Sequence, residues 1–327
     1  MRTIIGASCY DMIAQPEAKI RSFLERLKAA GGNATEFFVV YSWYKGFNWC
    51  PFPFDHYDNS DPTLPNLAVF DVSKKNKAVI GKWDRILSWC GELMIIPFLR
   101  IHDFCSMKTR DQLRRYPYMS TIQHGTGKIT GGLWGTKIRK YYIMLNDWLV
   151  EILKKRIKRT RRYIVPMNEA DVVRNGWSEE EADKRAIDFA LWYQDDLTRR
   201  CGLPKSAIIQ NPTRMFSGIE RLSGVRMEVH SVGSPEAIAA AWVAAKGKRR
   251  FPNGDGLDPL AQGFADYARW KEPSVEQARA MGELIRTNKD PFGYCYIPRL
   301  IYPKLNVTSI DKADFRVVTA IREAIGD

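Results

Sequence analysis

Two carboxylic acids in this sequence stand where acid–base chemistry would need them, each near the end of a short β-type run. Glu169 follows Met167 and Asn168. A carboxylic acid walled by apolar and aromatic side chains has a raised pKa and can donate a proton near neutral pH. Asp255 could supply a second carboxylate, although its Asn-Gly-Asp-Gly setting also favours a simple turn. Glu169 could instead cap the following helix or pair with Arg174.

Other polar side chains that could bind a substrate also stand at or near the ends of such runs. These candidates are Asn168, His102, Asp103, His230, Tyr296 and Arg299. Asp103 and Glu228 are weaker alternatives for the second carboxylate. Glu36 lies early in the second run, so we expect it to make a structural contact near the barrel floor rather than a catalytic one.

Eight short runs rich in β-branched and aromatic residues would position these side chains. They span residues 3–10, 34–43, 93–103, 162–171, 207–213, 226–233, 249–256 and 293–300. Most of the runs are continuously apolar rather than alternating. This pattern is typical of parallel strands that are covered on both faces.

Helical periodicity and helix start signals separate several of these runs. Pro16 precedes an apolar stripe, and the segment 137–155 carries a second stripe. Capping boxes are predicted at Ser178 with Glu181 and at Ser274 with Gln277, and a last helix is expected over 312–325.

Strand and helix alternation over eight units predicts an α/β fold, a single (β/α)₈ TIM barrel over residues 1–327 with long loops after strands 2 and 3. An open doubly wound sheet is the alternative. The first run lacks a glycine-rich phosphate-binding turn, which disfavours that alternative. In such barrels the active site lies at the carboxyl ends of the strands, which is where the candidate residues fall.

Asn168-Glu169 at the end of the fourth run resembles clan-A glycoside hydrolases, the retaining barrels that include family-five cellulases and mannanases. Asn33-Ala34-Thr35 before the second strand and His230 after the sixth extend the resemblance along the chain. It implies hydrolysis of a β-linked polysaccharide or oligosaccharide, endo-acting and retaining, without metal or cofactor. Glu169 would be the general acid/base, and Asn168 would bind the 2-hydroxyl of the sugar.

The sequence departs from this family at the seventh run, where the family carries a second Glu and this chain offers Asp255. The shorter side chain leaves a wider gap to Glu169 unless the backbone moves inward. Carboxyl groups about 5–5.5 Å apart support retention, whereas about 6.5–9.5 Å admits a water and inversion. Asp255 is therefore a nucleophile, a base or a turn residue.

Aromatic side chains are abundant in the predicted loops and favour a sugar ligand. Trp43 lies in the aromatic-rich segment after the second run, and Trp134 lies in a glycine-rich segment after the third. Either ring could stack on a pyranose. Long loops also need rings for their own packing, so part of this set is expected to be structural.

The net charge of +13 raises the question of an anionic partner. Seven of the nine residues from Lys154 to Arg162 are basic, and this basic cluster falls before the fourth strand, at the end of the barrel away from Glu169. A solvated face is the simpler interpretation, and a nucleic-acid partner is disfavoured because interleaved aromatic residues are missing. A non-catalytic carbohydrate-binding barrel, or a basic barrel that binds an anionic polymer, remains the alternative function.

Cellular location and redox state are only partly constrained by the sequence. No apolar run approaches the roughly 18 residues of a membrane span, and the first residues lack the apolar stretch of a secretory signal. We therefore expect a soluble protein without membrane contact. The six cysteines show no metal-binding spacing and are expected to be buried thiols.

Overall fold

A computed structural model gives the architecture of the chain. It describes residues 3–9, 12–39, 54–56, 70–103, 136–168, 177–210, 221–222, 226–230, 260–264, 274–288, 294–296, 310, 313 and 315–326.

Eight parallel strands form the centre of the molecule. They are β1 (Gly6–Ser8), β2 (Ala34–Phe38), β5 (Ile96–Asp103), β6 (Tyr163–Asn168), β7 (Ile209–Gln210), β8 (Arg226–His230), β9 (Leu260–Phe264) and β10 (Tyr294–Tyr296). Their order in the sheet is β6-β5-β2-β1-β10-β9-β8-β7. A parallel bridge between Ile164 and Ile208 joins the two ends, so the sheet is a closed barrel. The predicted (β/α)₈ class is confirmed, while its assignment to one domain over residues 1–327 stays a prediction.

Six α-helices lie along the described part of the chain. They are α1 (Glu17–Ala29), α2 (Lys77–Glu92), α3 (Thr136–Arg156), α4 (Glu179–Asp195), α5 (Val275–Asn288) and α6 (Arg316–Ile325). Each helix start or apolar helix face that the sequence predicts within the described residues corresponds to one of these six helices. The helix α2, which the sequence analysis does not single out, buries Trp83 and Ile86 among its apolar residues.

Side-chain caps fix where several helices begin. Ser274 and Gln277 form a reciprocal capping box, with the Gln277 amide donating to Ser274 Oγ at 3.2 Å and the Ser274 amide donating to Gln277 Oε1 at 2.9 Å. Ser178 Oγ accepts a hydrogen bond from the Glu181 amide at the start of α4. These bonds satisfy donors that the first turn of a helix leaves without an intrahelical partner.

The seventh strand is the one strand that the sequence analysis misplaced. The predicted run 249–256 contains no described residue, and the barrel strand is β9, Leu260–Phe264, paired with β8 and β10. The interpretation of 249–256 as strand seven was wrong. Asn-Gly-Asp-Gly is strongly turn-forming, and Leu-Ala-Gln-Gly-Phe is too weakly apolar to be recognised as a strand.

A small antiparallel pair interrupts the long connection between β2 and α2. Its strands are β3 (Phe54–His56) and β4 (Phe70–Lys75), with His56 opposite Phe70. The sequence analysis treated this aromatic-rich segment as a loop. Neither strand shows a clean apolar alternation, so only pairing across the intervening segment identifies them.

Apolar residues form two layers, one inside the barrel and one between barrel and helices. The inner cluster takes one or two residues from each of five neighbouring strands or their amino ends, namely Ile4, Ala34, Phe98, Tyr163, Val165 and Ile209. The residues that alternate with these along the strands, such as Ile5, Phe37 and Leu99, point outward and pack with the helices in the larger outer cluster. Burial on both faces explains why the strands are continuously apolar.

The cysteines that the structure describes are buried, as the sequence analysis expects. Cys9, Cys90 and Cys201 are buried thiols outside any disulfide, and burial raises the pKa of Cys90 to about 12. No helix in the described residues is long and apolar enough to cross a membrane.

We expect opposite stability effects from alanine at two helical glycines. A Cβ at Gly282 in α5 would lie 2.6 Å from the backbone oxygen of Ile321 in α6, whereas at Gly81 in α2 it would meet only the flexible end of Arg85 at 3.3 Å. Gly282→Ala should therefore destabilise the protein by about 1–3 kcal/mol. Gly81→Ala should stabilise it by about 0.5–1 kcal/mol.

The free energies of unfolding of both variants, measured in urea, check this expectation. Equal effects of the two substitutions would contradict the close approach of α5 to α6.

Candidate active site at the carboxyl ends of the strands

Four barrel strands end at residues that the sequence analysis selected. His102 and Asp103 are the last two residues of β5, and Asn168 is the last residue of β6. His230 ends β8 and Tyr296 ends β10. Because parallel strands place their carboxyl ends at one edge, these positions lie on one face of the barrel.

Strand register brings two of these positions side by side and sets a third beside Met167. Asp103 of β5 is the Cα partner of Asn168 of β6, and His102 is the partner of Met167. Neighbouring strands are about 4.8 Å apart, so Asp103 and Asn168 are adjacent at the rim. Glu169 is the next residue of the chain after Asn168.

Several predicted site residues lie outside the described residues. They are Glu169, Asp255, Trp43, Trp134 and Arg299. The correction of strand seven bears on Asp255, because this residue precedes β9 by five positions instead of following it. The residue two positions after the end of β9 is Asp266, which the sequence analysis missed because it placed the strand too early.

A buried ion pair lies directly beneath this rim. Arg100 of β5 donates from Nε to Glu36 Oε1 of β2, and Ser8 Oγ of β1 donates to Glu36 Oε2 at 2.5 Å. The side chains of Arg100 and Glu36 are 0% and 3% exposed. Each of the three residues is an even number of positions from a residue of the inner apolar cluster on or just before the same strand, so its side chain points to the same face, inside the barrel.

This ion pair connects three adjacent strands just below their ends. Arg100 precedes His102 by two positions on β5 and is in register with Phe38 of β2 and Val165 of β6. Beneath it, the rings of Phe98 and Tyr163 stack with centroids 4.7 Å apart. A charged group held out of water costs several kcal/mol unless it is paired, so the three strands must keep this register.

The expected structural contact of Glu36 is thus confirmed, but it lies beneath the rim rather than near the barrel floor, and its partners were not anticipated. Arg100 interrupts the apolar run from Ile95 to Ile101, and a charged residue in a strand buried on both faces signals a buried partner. Ser8 carried no comparable signal. No group of three or more His, Cys, Asp or Glu side chains suited to a metal ion occurs among the side chains that the structure describes.

We expect removal of the Arg100 charge alone to be strongly destabilising. Arg100→Met leaves the Glu36 carboxylate buried without this guanidinium, which should lower the free energy of unfolding by about 3–5 kcal/mol. The double variant Arg100→Met/Glu36→Gln should lose less than the sum of the two single losses, because no uncompensated charge remains.

Urea denaturation of the single and double variants measures both effects. Arg199→Met is the control, since its side chain is 84% exposed and pairs with Asp195 at the surface. The control should change stability by no more than about 0.5 kcal/mol. Additive losses from Arg100→Met and Glu36→Gln would contradict the coupling.

Solved structures with the same barrel architecture give the comparison with known proteins. The endo-1,4-β-mannanase from Rhizomucor miehei aligns with a TM-score of 0.61 and 11% identity, covering 99% of this chain and 94% of its own. A glycoside hydrolase family 5 enzyme from Prevotella bryantii aligns with a TM-score of 0.59 and 10% identity, covering 99% and 96%. The exo-β-1,4-mannosidase from Opitutaceae bacterium strain TAV5 gives 0.62 and 14%, covering 100% and 61%.

These likenesses extend over nearly the whole chain, but identities of 10–14% establish the fold alone. No protein-family model and no curated protein sequence matches this chain. The chain is therefore similar in fold to glycoside hydrolase barrels that include family 5 enzymes.

Proposed function

We propose that this protein is a glycoside hydrolase that cleaves a β-linked polysaccharide or oligosaccharide, with Glu169 as general acid/base. The observation that carries the proposal is the position of Asn168 as the last residue of the fourth barrel strand, with Glu169 immediately after it. The carboxyl ends of barrel strands are where catalytic groups of this fold lie.

The fold likeness supports the reaction class and suggests which substrates to test first. The similar structures include an endo-1,4-β-mannanase, an exo-β-1,4-mannosidase and a family 5 enzyme in complex with a xyloglucan tetradecasaccharide. We therefore propose β-1,4-mannan and β-1,4-glucan derivatives as the first substrates to test. The proposal includes cleavage within the glycan chain and retention of the anomeric configuration.

The proposed mechanism divides the reaction between two carboxyl groups. Glu169 gives its proton to the glycosidic oxygen as the bond to the anomeric carbon breaks, and the second carboxylate attacks that carbon. Water then releases the sugar, with Glu169 taking the proton of the water. Asn168 holds the 2-hydroxyl. Contacts to the rest of the sugar are assigned to His102, Asp103, His230, Tyr296, Arg299, Trp43 and Trp134.

Asp266 joins Asp255 as a candidate for the second carboxylate. Groups that follow a barrel strand belong to the catalytic face, and Asp266 follows Phe264 by two positions, whereas Asp255 comes before Leu260. On this argument we favour Asp266, and Asp255 remains the alternative.

We expect Glu169→Gln to remove hydrolysis while sugar binding remains. Loss of the proton donor should lower kcat/KM by about 10²–10⁴. The assay measures release of reducing ends from β-mannan, β-glucan and xyloglucan, together with binding of the same oligosaccharides by calorimetry. Glu151→Gln, at an exposed position of α3, is the matched control and should leave both quantities unchanged.

Two outcomes would contradict the proposal. A wild-type protein that binds these glycans without releasing reducing ends would be a carbohydrate-binding barrel. Equal activities of the wild-type protein and Glu169→Gln would exclude Glu169 as the acid/base.

We expect Asp266→Asn to abolish turnover and Asp255→Asn to preserve it. Loss of the nucleophile should lower kcat by at least about 10³, whereas loss of a turn aspartate should act on stability. Reducing-end release and thermal denaturation of both variants distinguish these effects. The opposite ranking of the two variants would assign the second carboxylate to Asp255.

The first anomer released, followed by NMR, tests retention separately. A β-linked substrate gives the β-anomer first if the reaction retains configuration, and the α-anomer if it inverts.

A further inference from the structure

The face of the barrel opposite the candidate active site carries a cavity of about 380 Å³. The described residues that line it come from two segments, which contribute Thr160 to Tyr163 and Pro204, Ser206 and Ala207. Tyr163 is the first residue of β6, and Ala207 lies two positions before β7 begins, so the cavity is at the amino ends of these strands. The bridge between Ile164 and Ile208 holds its two walls together.

The charge of this cavity is positive. Arg161 and Arg162 line it, and no carboxylate is among its described lining residues. Both arginines belong to the basic cluster, Lys154 to Arg162. Elsewhere in the cluster Arg156 donates a hydrogen bond to Asp84, and this bond lowers the pKa of the Asp84 carboxyl group.

The guanidinium of Arg162 is held in place by the backbone beside the cavity. Its Nη1 donates to the carbonyl oxygen of Ile157 at 2.5 Å. A guanidinium has five N–H donors, so this single bond orients the group and leaves further donors for a ligand. Arginine forks bind phosphate oxygens through two parallel hydrogen bonds, with a strength that a lone lysine does not match.

Thr160 supplies the second, independent sign of a ligand. Its Oγ1 atom is buried and has no hydrogen-bond partner in the described structure. A buried hydroxyl without a partner destabilises the folded state, so native structures seldom keep one without a purpose. Thr160 lines the cavity together with Arg161 and Arg162, and a hydroxyl without a partner there is suited to donate to an anionic oxygen.

From this arrangement we infer a binding site for a phosphate group, free or carried as a monoester by a small organic molecule, at the amino-terminal face of the barrel. Arg161, Arg162 and Thr160 bind the phosphate oxygens. The cavity falls within the range of about 300–1,000 Å³ of small-molecule pockets, which leaves room for an organic part against Tyr163 and Pro204. This site is independent of the proposed hydrolase reaction.

The test is calorimetric titration with inorganic phosphate and with glycerol 3-phosphate, each against sodium chloride at matched ionic strength. We expect saturable binding of at least one phosphate compound and none of chloride. Tighter binding of glycerol 3-phosphate identifies a monoester as the ligand, and equal binding identifies the phosphate ion. Titrations in which neither phosphate compound binds beyond chloride would overturn the inference.

Two variants and a control test the assigned residues. Arg162→Gln should weaken binding by at least about tenfold, since hydrogen bonds between charged groups are the strong ones. Thr160→Val should weaken it by about threefold or more while leaving the melting temperature of the ligand-free protein equal or higher, because valine removes an unsatisfied hydroxyl. Arg199→Gln removes an exposed surface charge and should leave the affinity unchanged.

Equal losses of phosphate affinity in Arg162→Gln and Arg199→Gln would mean that phosphate is attracted only by the general positive charge of the protein. This result would contradict the proposed site. Unchanged affinity in Thr160→Val together with Arg162→Gln would do the same. Thr160→Val keeps the shape of the side chain, so a folding failure of Arg162→Gln alone does not remove the test.

Discussion

The pairing of Arg100 with Glu36 inside the barrel is the constraint on which the candidate active site depends. A guanidinium and a carboxylate that are almost fully out of water must meet each other, and here they do so across β2 and β5. Ser8 brings β1 into the same network through its hydrogen bond to Glu36. A slip of one residue in β2 or β5 would turn a charged side chain toward the apolar helix layer.

The ion pair also fixes the positions of the strand ends at the rim, because the candidate site residues follow it closely along the chain. Only His102 and Asp103 follow Arg100 and Ile101 on β5, and β6 is held in register with β5 up to Asn168. Asn33 fixes the opposite ends of β1 and β2, with its side chain bonded to the Ile5 amide and the Thr3 carbonyl. The rim is thus set by the register of the strands.

The two ends of the barrel differ in charge and in chemistry. The carboxyl ends carry acids, imidazoles, an amide and a tyrosine, whereas the amino ends of β6 and β7 lie beside the basic cluster. The sequence analysis placed this cluster away from Glu169, and the end of α3 at Arg156, seven residues before β6, confirms that position. The positive charge of this cluster therefore lies at the end of the barrel away from the candidate active site.

The sequence by itself determined the strands that are apolar on both faces, the capped helices and, through them, the barrel class. Burial selects these residue types locally, so the pattern survives without any tertiary information. It also placed His102, Asp103, Asn168, His230 and Tyr296 at strand ends. Only the tertiary structure decided the seventh strand, because Leu260–Phe264 is a strand through its pairing with β8 and β10 rather than through its own composition. The partner of Glu36 was decided in the same way, since a contact between residues 64 positions apart depends on strand order and register.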